Sequence, residues 1–217
     1  MQNLFYFFSL FVIYSFFGWL TEVFLAFFKE KKFINRGFLI GPIVPIWGFG
    51  AILISLILSK NDSYISLFFS SFVLASVLEY FVNYLMELIF KARWWDYSNL
   101  PFNLNGRICF GSSMFFGFGG LLIINFFNPF FLNLFPRFNF NVLVTVDTII
   151  FILIIIDLCV SCNVIKKLKL SAYSLKKDYT EEISAKVMGA LSKKSKQFKR
   201  LLKAFPNVKF NFWRKTK

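Results

Sequence analysis

LFYFFSLFVIYSFFGWLTEVFLAFF, residues 4–28, is an unbroken apolar run whose only formal charge is Glu22. A helix needs about 20 consecutive apolar residues to cross the hydrocarbon core of a bilayer, and this run exceeds that length. It does not read as a cleaved secretory signal. No Lys or Arg precedes it, no small-residue cleavage site follows it, and it is longer than a signal-peptide core. The rest of the chain repeats the pattern, with further apolar stretches at approximately 38–59, 65–90, 106–127 and 142–164. The expected fold is therefore an all-α integral membrane protein, a bundle of about five transmembrane helices in residues 1–165, followed by a basic, partly amphipathic helical tail in 166–217.

Composition supports the same class. Of 217 residues, 57% are hydrophobic, 34 are Phe, and mean hydropathy is +0.62; soluble domains are about 45–50% apolar. Three Cys, two of them inside an apolar stretch, exclude a disulfide scaffold. There is no His, which removes the commonest metal ligand and general base. Cys159 and Cys162 have redox or metal spacing but lie within the fifth stretch and read as apolar packing. No metal, cofactor or catalytic residue is assigned, and no internal repeat is evident.

Charge is distributed unevenly. The chain carries +14, yet residues 1–165 hold 9 basic and 8 acidic residues, leaving 16 and 3 in the tail. Lys29, Lys31, Lys32 and Arg36 follow the first stretch, Lys91, Arg93 and Arg107 lie between the third and fourth, and the Lys-rich tail follows the fifth. The positive-inside rule then places the N-terminus outside and the C-terminus in the cytoplasm. The segment from Asn128 to Asn141, interrupted by Pro129 and Pro136, reads as an interfacial segment on the outer side.

In the tail, Ile183, Val187, Leu191, Phe198, Leu201, Leu202 and Phe205 recur at helical spacing opposite Lys186, Lys193, Lys196, Lys199 and Lys203. A basic amphipathic helix beside a membrane is expected to meet anionic lipid headgroups; the bland alternative is a helix docking on a protein surface. Nucleic acid is not the expected partner, because the tail is tethered to the bilayer.

Polar residues within apolar stretches are costly and face the bundle interior. Glu22 shares a stripe with Ser15 and Gly18, while Glu79, Asn83 and Glu87 repeat every four residues. Glu87 sits near enough to the interface to be simply solvated. Gly37, Gly41, Pro42 and Pro45 disturb the start of the second stretch, and Ser113, Gly117 and Gly120 line one side of the fourth for close helix packing. The deduced orientation brings Glu22, Asn35, Arg36, Gly41 and Pro42 from one hairpin towards Glu79, Glu87, Trp94, Trp95, Asp96, Tyr97, Asn103, Asn105 and Arg107 from the next. Such a cluster suits an anionic or zwitterionic group at helix N-termini, or a proton or cation on the carboxylates. It equally suits a structural role in which Glu22, Glu79 and Asp96 neutralise Arg36 and Arg107. Asp147 and Asp157 are expected to pair with Arg or Tyr.

The motifs Gly18-Trp19 with Glu22, Asn35-Arg36-Gly37-Phe38-Leu39 with Gly41-Pro42 and Pro45-Ile46, Glu79-Tyr80 with Met86-Glu87, Trp94-Trp95-Asp96-Tyr97-Ser98, and Asn103-Leu104-Asn105-Gly106-Arg107-Ile108-Cys109 together resemble the putative ABC-transporter type IV family, the CmpB-type ABC transporter permeases of bacteria. They span residues 18 to about 120, about half the chain. The resemblance implies a multi-pass protein of the bacterial cytoplasmic membrane with a permease label. No Gly-Lys pair exists to build a P-loop, so an ABC-type role requires a separate ATPase subunit, and the small size favours assembly with it or as a homo-oligomer. Two other classes compete with a transport component. One is a membrane-embedded enzyme acting on a lipid-linked anionic group, with Glu79 or Glu22 as base and Arg36 and Arg107 on phosphate; the other is a lipid-sensing scaffold.

Overall fold

Four of the five apolar stretches form helices long and apolar enough to cross a membrane: Asn3–Phe28, Tyr64–Phe90, Phe110–Arg137 and Phe140–Lys166. The computed structural model describes residues 2–174, 196–205 and 209–210. In chain order the elements are α1 (Gln2–Glu30), α2 (Pro45–Ile57), α3 (Tyr64–Phe90), β1 (Ala92–Arg93), β2 (Asn103–Leu104), β3 (Ile108–Cys109) and α4 (Phe110–Leu122). A π-helical turn (Ile123–Phe127), α5 (Asn128–Leu134), a 3-10 turn (Phe135–Arg137), α6 (Phe140–Ser174), α7 (Lys196–Ala204) and β4 (Lys209–Phe210) complete it. The protein is an all-α membrane protein, with two-residue strands only where loops and tail are pinned.

The second stretch departs from expectation. Instead of a helix over 38–59, α2 has 13 residues, about 20 Å of helix at 1.5 Å per residue, short of the roughly 30 Å hydrocarbon core. The cause is local. Prolines disfavour helix in the residue before them, so neither Gly41 nor Val44 can open it, and the helix waits for Pro45 at its first turn, where a missing N–H costs nothing. The Val44 amide donates to the Ser15 carbonyl at 3.0 Å, and Ser15 lies midway along Asn3–Phe28. Thus α2 begins at mid-depth, reached by an irregular loop, residues 31–44. Gly18 and Gly48 allow this hairpin to close: a Cβ on Gly18 would overlap Trp47, and one on Gly48 would overlap Ser15 and Phe11.

The fourth stretch is displaced in the other direction. Residues 103–109 form a tight hairpin with Leu104 opposite Ile108, so α4 begins at Phe110 rather than 106. Beyond 127 the chain does not become irregular, because α4 runs through the π-helical turn into α5 and the 3-10 turn. In the widened turn the Asn128 amide reaches back to the Ile123 carbonyl, an adjustment that lets a membrane helix absorb Pro129 and Pro136.

The packing is inverted relative to a soluble domain. Ser9, Ser15, Ser71, Ser76, Glu79, Asn83, Ser113, Asn128, Asp147 and Ser161 are buried, while Phe69, Val73, Val77, Phe81, Ile149, Phe151, Ile152 and Ile156 face outward. A hydrocarbon solvent permits this arrangement and water does not. Gly117 packs on Phe68 and Gly120 on Ser71, and the Ser76 hydroxyl donates to Ser113 at 2.6 Å, joining α3 closely to α4.

Candidate functional site

The site is assembled where α1 and α3 end and α2 and α4 begin. Glu79 is buried on α3. Its Oε1 accepts from the Tyr97 hydroxyl at 3.1 Å and its Oε2 from the Ser112 hydroxyl at 3.2 Å. Glu22 on α1 lies close to the Trp47 side chain and feels the charge of Arg36. It is also close enough to act electrostatically on both Glu79 and Tyr97. Burial, reinforced by Glu79, raises the Tyr97 phenol far above its ordinary value, so Tyr97 stays a neutral donor. The hydrogen-bond donors to Glu79 are neutral.

The two hairpins are built alike. Trp47 and Ser112 are each the third residue of their helix, and each lies beside the carboxylate of the preceding helix. Asn35 precedes α2, and Asn105 precedes α4. Each Asn bonds an aromatic residue of the preceding helix: the Trp19 indole donates to Asn35 at 2.8 Å, and the Asn105 amide donates to the Tyr80 hydroxyl at 3.0 Å.

The basic residues do not pair as expected. Arg107 contacts Glu87 at 2.8 Å and donates to Asn83 Oδ1 at 2.7 Å. Its guanidinium also lies over the rings of Tyr84 and Tyr80, at 5.2 and 5.6 Å. Glu87, expected to be solvated, is shared with Arg93 at 3.5 Å. Arg93 also meets Asp96 at 3.5 Å and donates to the Asn105 carbonyl at 3.0 Å. Arg36 pairs with Glu30 at 3.5 Å. The expected cluster thus resolves into a carboxylate pair, Glu22 and Glu79, and a neighbouring ion-pair network of Glu87, Arg93, Asp96 and Arg107. Asn83 lies one helical turn from Glu79 and is bound to Arg107. Among the described residues no group of three or more His, Cys, Asp or Glu is arranged to hold a metal.

Several predicted residues serve the scaffold. Asn103 donates to the Leu100 carbonyl at 2.7 Å and accepts from the Gly106 amide at 3.0 Å. The Trp95 indole donates to the Arg107 carbonyl at 3.2 Å, and Asp96 accepts from the Ser98 amide at 3.0 Å. Asn105 and Gly106 both adopt positive φ, 53° and 66°, the backbone of a tight Asn-Gly turn. A Cβ on Gly106 would overlap Ser98 and Asp96. Trp94 is in no polar site; it packs with Phe38, Phe90 and Phe205.

Asp157 and Arg200 were missed as organisers of the first loop. Asp157 accepts from the Ile40 and Gly41 amides at 2.9 and 2.7 Å, where an Arg or Tyr partner was expected; Asp147 likewise accepts from Ser9 at 2.8 Å. From the other side of the loop Arg200 donates to the Gly37 and Phe38 carbonyls at 2.8 and 2.9 Å. Burial pulls its guanidinium below the ordinary value, opposed by the Asp157 charge. No pattern in the sequence joins residue 200 to residue 37. Gly41, Pro42, Leu39 and Asp157 also border an apolar cavity of about 590 Å³ between α1 and α6.

A family model described as Putative ABC-transporter type IV matches residues 9–162. The chain belongs to this family. The match covers both hairpins, the carboxylate pair, the ion-pair network and Asp157, and it stops before α7. No curated protein and no solved structure matches the chain. As a family member with four long apolar helices, the protein is a multi-pass membrane component of ABC-transporter type.

Proposed function

We propose that the protein is a permease-like subunit of a transport system, without an ATPase of its own, working in a bacterial cytoplasmic membrane with a separate ATPase subunit or as a homo-oligomer. Its N-terminus lies outside and its C-terminus in the cytoplasm. The observation that carries this reading is the pair Glu22 and Glu79. They come from different hairpins, each sits near the first turn of the helix that follows its own, α2 starts at mid-depth, and the hydrogen-bond donors to Glu79 are neutral. Transporters place substrate and ion sites at such discontinuous helices, and carboxylates inside a membrane mark proton or ion pathways. The species handled is accordingly a proton or a cationic group.

The enzyme alternative is weaker, because Arg36 and Arg107 would have to hold phosphate and each is engaged by a carboxylate. The basic tail supplies a second contact. Lys196, Lys199 and Lys203 stay exposed on α7 and face anionic headgroups by charge rather than insertion, since the apolar side of α7 is used within the chain. The other apolar positions expected in that helix, Ile183, Val187 and Leu191, lie outside the described residues.

The test is purification in native lipid with identification of any co-purifying ATPase, then reconstitution into liposomes holding a pH-sensitive dye and challenged with a series of cations. Flux abolished by Glu22→Gln or Glu79→Gln in folded protein supports the reading. Flux indifferent to both substitutions, or an altered lipid with no flux, rejects it.

A further inference from the structure

The C-terminal segment is joined to the transmembrane helices by three independent contacts. Phe198, Leu201 and Ala204 on one side of α7 are each at most 2% exposed. Phe198 and Leu201 belong to a cluster with Phe90, Ala92, Trp94 and Ile165, with Phe38 packed against it. Arg200, on the same helix, caps carbonyls of residues 37 and 38 and reaches that of Asn35 at 3.5 Å. Finally, β4 pairs with β1, Ala92 opposite Phe210 and Arg93 opposite Lys209. These contacts reach both loops that carry the candidate site.

The first loop has little regular structure to hold it. Its inner amides are tied by Asp157 at Ile40 and Gly41 and by the Ser15 carbonyl at Val44; its outer carbonyls are satisfied by Arg200, and by Asn35 at Ile40. Buried carbonyls without partners are costly, so the loop keeps this path only while α7 is docked. The loop leads directly into Pro45 and Trp47, whose side chain lies close to Glu22.

We propose that α7 is an intramolecular latch: docked, it fixes the loop of residues 31–44 and hence the start of α2 beside Glu22; undocked, it releases that loop while leaving the α3–α4 hairpin intact. Arg200 is a positioning residue in this device. It contacts none of the loop amides named above, so their protection reports the loop's path rather than loss of a direct bond. The inference does not depend on the transport reading, because the readout is backbone exchange and not flux.

The experiment is hydrogen–deuterium exchange on the full chain in nanodiscs, comparing wild type, Arg200→Gln, and the double substitution Phe198→Ser with Leu201→Ser. Peptides covering 35–44 report the loop, those covering 196–204 report α7, and those covering 68–83 and 112–122 report the hairpin. The latch requires exchange in 35–44 to rise at least tenfold in the double variant and severalfold in Arg200→Gln, with the hairpin unchanged. If α7 exchanges faster while 35–44 stays at the wild-type rate, the latch is wrong. Should the double variant also lose hairpin protection, Arg200→Gln decides alone, and an unchanged loop there overturns the proposal.

Discussion

Arg107→Gln should be the most damaging single substitution in the ion-pair network, and its cost should depend on Glu87. The change removes the 2.8 Å contact to Glu87, the 2.7 Å bond to Asn83 and the cation over Tyr84 and Tyr80. Breaking a fully buried ion pair by removing one partner costs about 3–5 kcal/mol. Here the side chains of Arg107 and Glu87 keep 12% and 24% exposure, so the pair falls at or below the low end, about 2–3 kcal/mol. Loss of the cation–π contacts adds about 1 kcal/mol, giving roughly 3–4 kcal/mol in all. Glu87→Gln should cost less, since Arg107 then keeps Asn83 and the two rings, and Arg93 keeps Asp96. Because the double variant leaves no unpaired charge at that contact, it should be scarcely worse than Arg107→Gln, a coupling of about 1–3 kcal/mol. Glu79 and Arg107 have no direct contact, so Glu79→Gln with Arg107→Gln should be additive within about 0.5 kcal/mol. Reversible denaturation in mixed micelles, followed by tryptophan fluorescence, measures all five variants. A Glu79–Arg107 coupling equal to or larger than the Glu87–Arg107 coupling would refute this assignment of partners.

Four further outcomes follow from particular contacts. Gly106→Ala should lower stability by about 1–3 kcal/mol, because its φ of 66° and the overlap with Ser98 and Asp96 both oppose a Cβ; a melting temperature equal to wild type would contradict the turn. Asp157→Ala should free the Ile40 and Gly41 amides and cost about 1–3 kcal/mol, read as faster exchange confined to 35–44, whereas faster exchange only in α6 would point to a different role. Cysteines placed singly at residues 2 and 190 should react with an impermeant reagent from outside and inside the cell respectively; the opposite pattern inverts the topology. A peptide of residues 166–217 should bind anionic vesicles more tightly than neutral ones and weaken as salt rises, at about 1 kcal/mol per basic residue near the surface; equal binding to both would remove the electrostatic contact.

Residues 4–28 and their counterparts were enough to determine the class of fold, because hydrocarbon solvent imposes a requirement that composition alone can meet or fail. Local chemistry also carried the family motifs, the charge asymmetry and the inward-facing stripe of Glu79, Asn83 and Glu87. The limits of α2 are legible in Gly41-Pro42 and Val44-Pro45, because the residue before each proline is disfavoured in a helix, and Asn105-Gly106 signals a hairpin rather than a helix start. Partner choice was not legible. Whether Arg107 meets Glu79 or Glu87 depends on how far the β2–β3 hairpin lifts it along α3, a distance of about two helical turns that no spacing rule supplies. Nor does any local signal connect Asp157 or Arg200 to the first loop, more than a hundred residues earlier. Those contacts exist because an irregular segment inside the bundle must find acceptors and donors for its backbone, and only the packed tertiary structure decides which distant side chains are close enough to provide them.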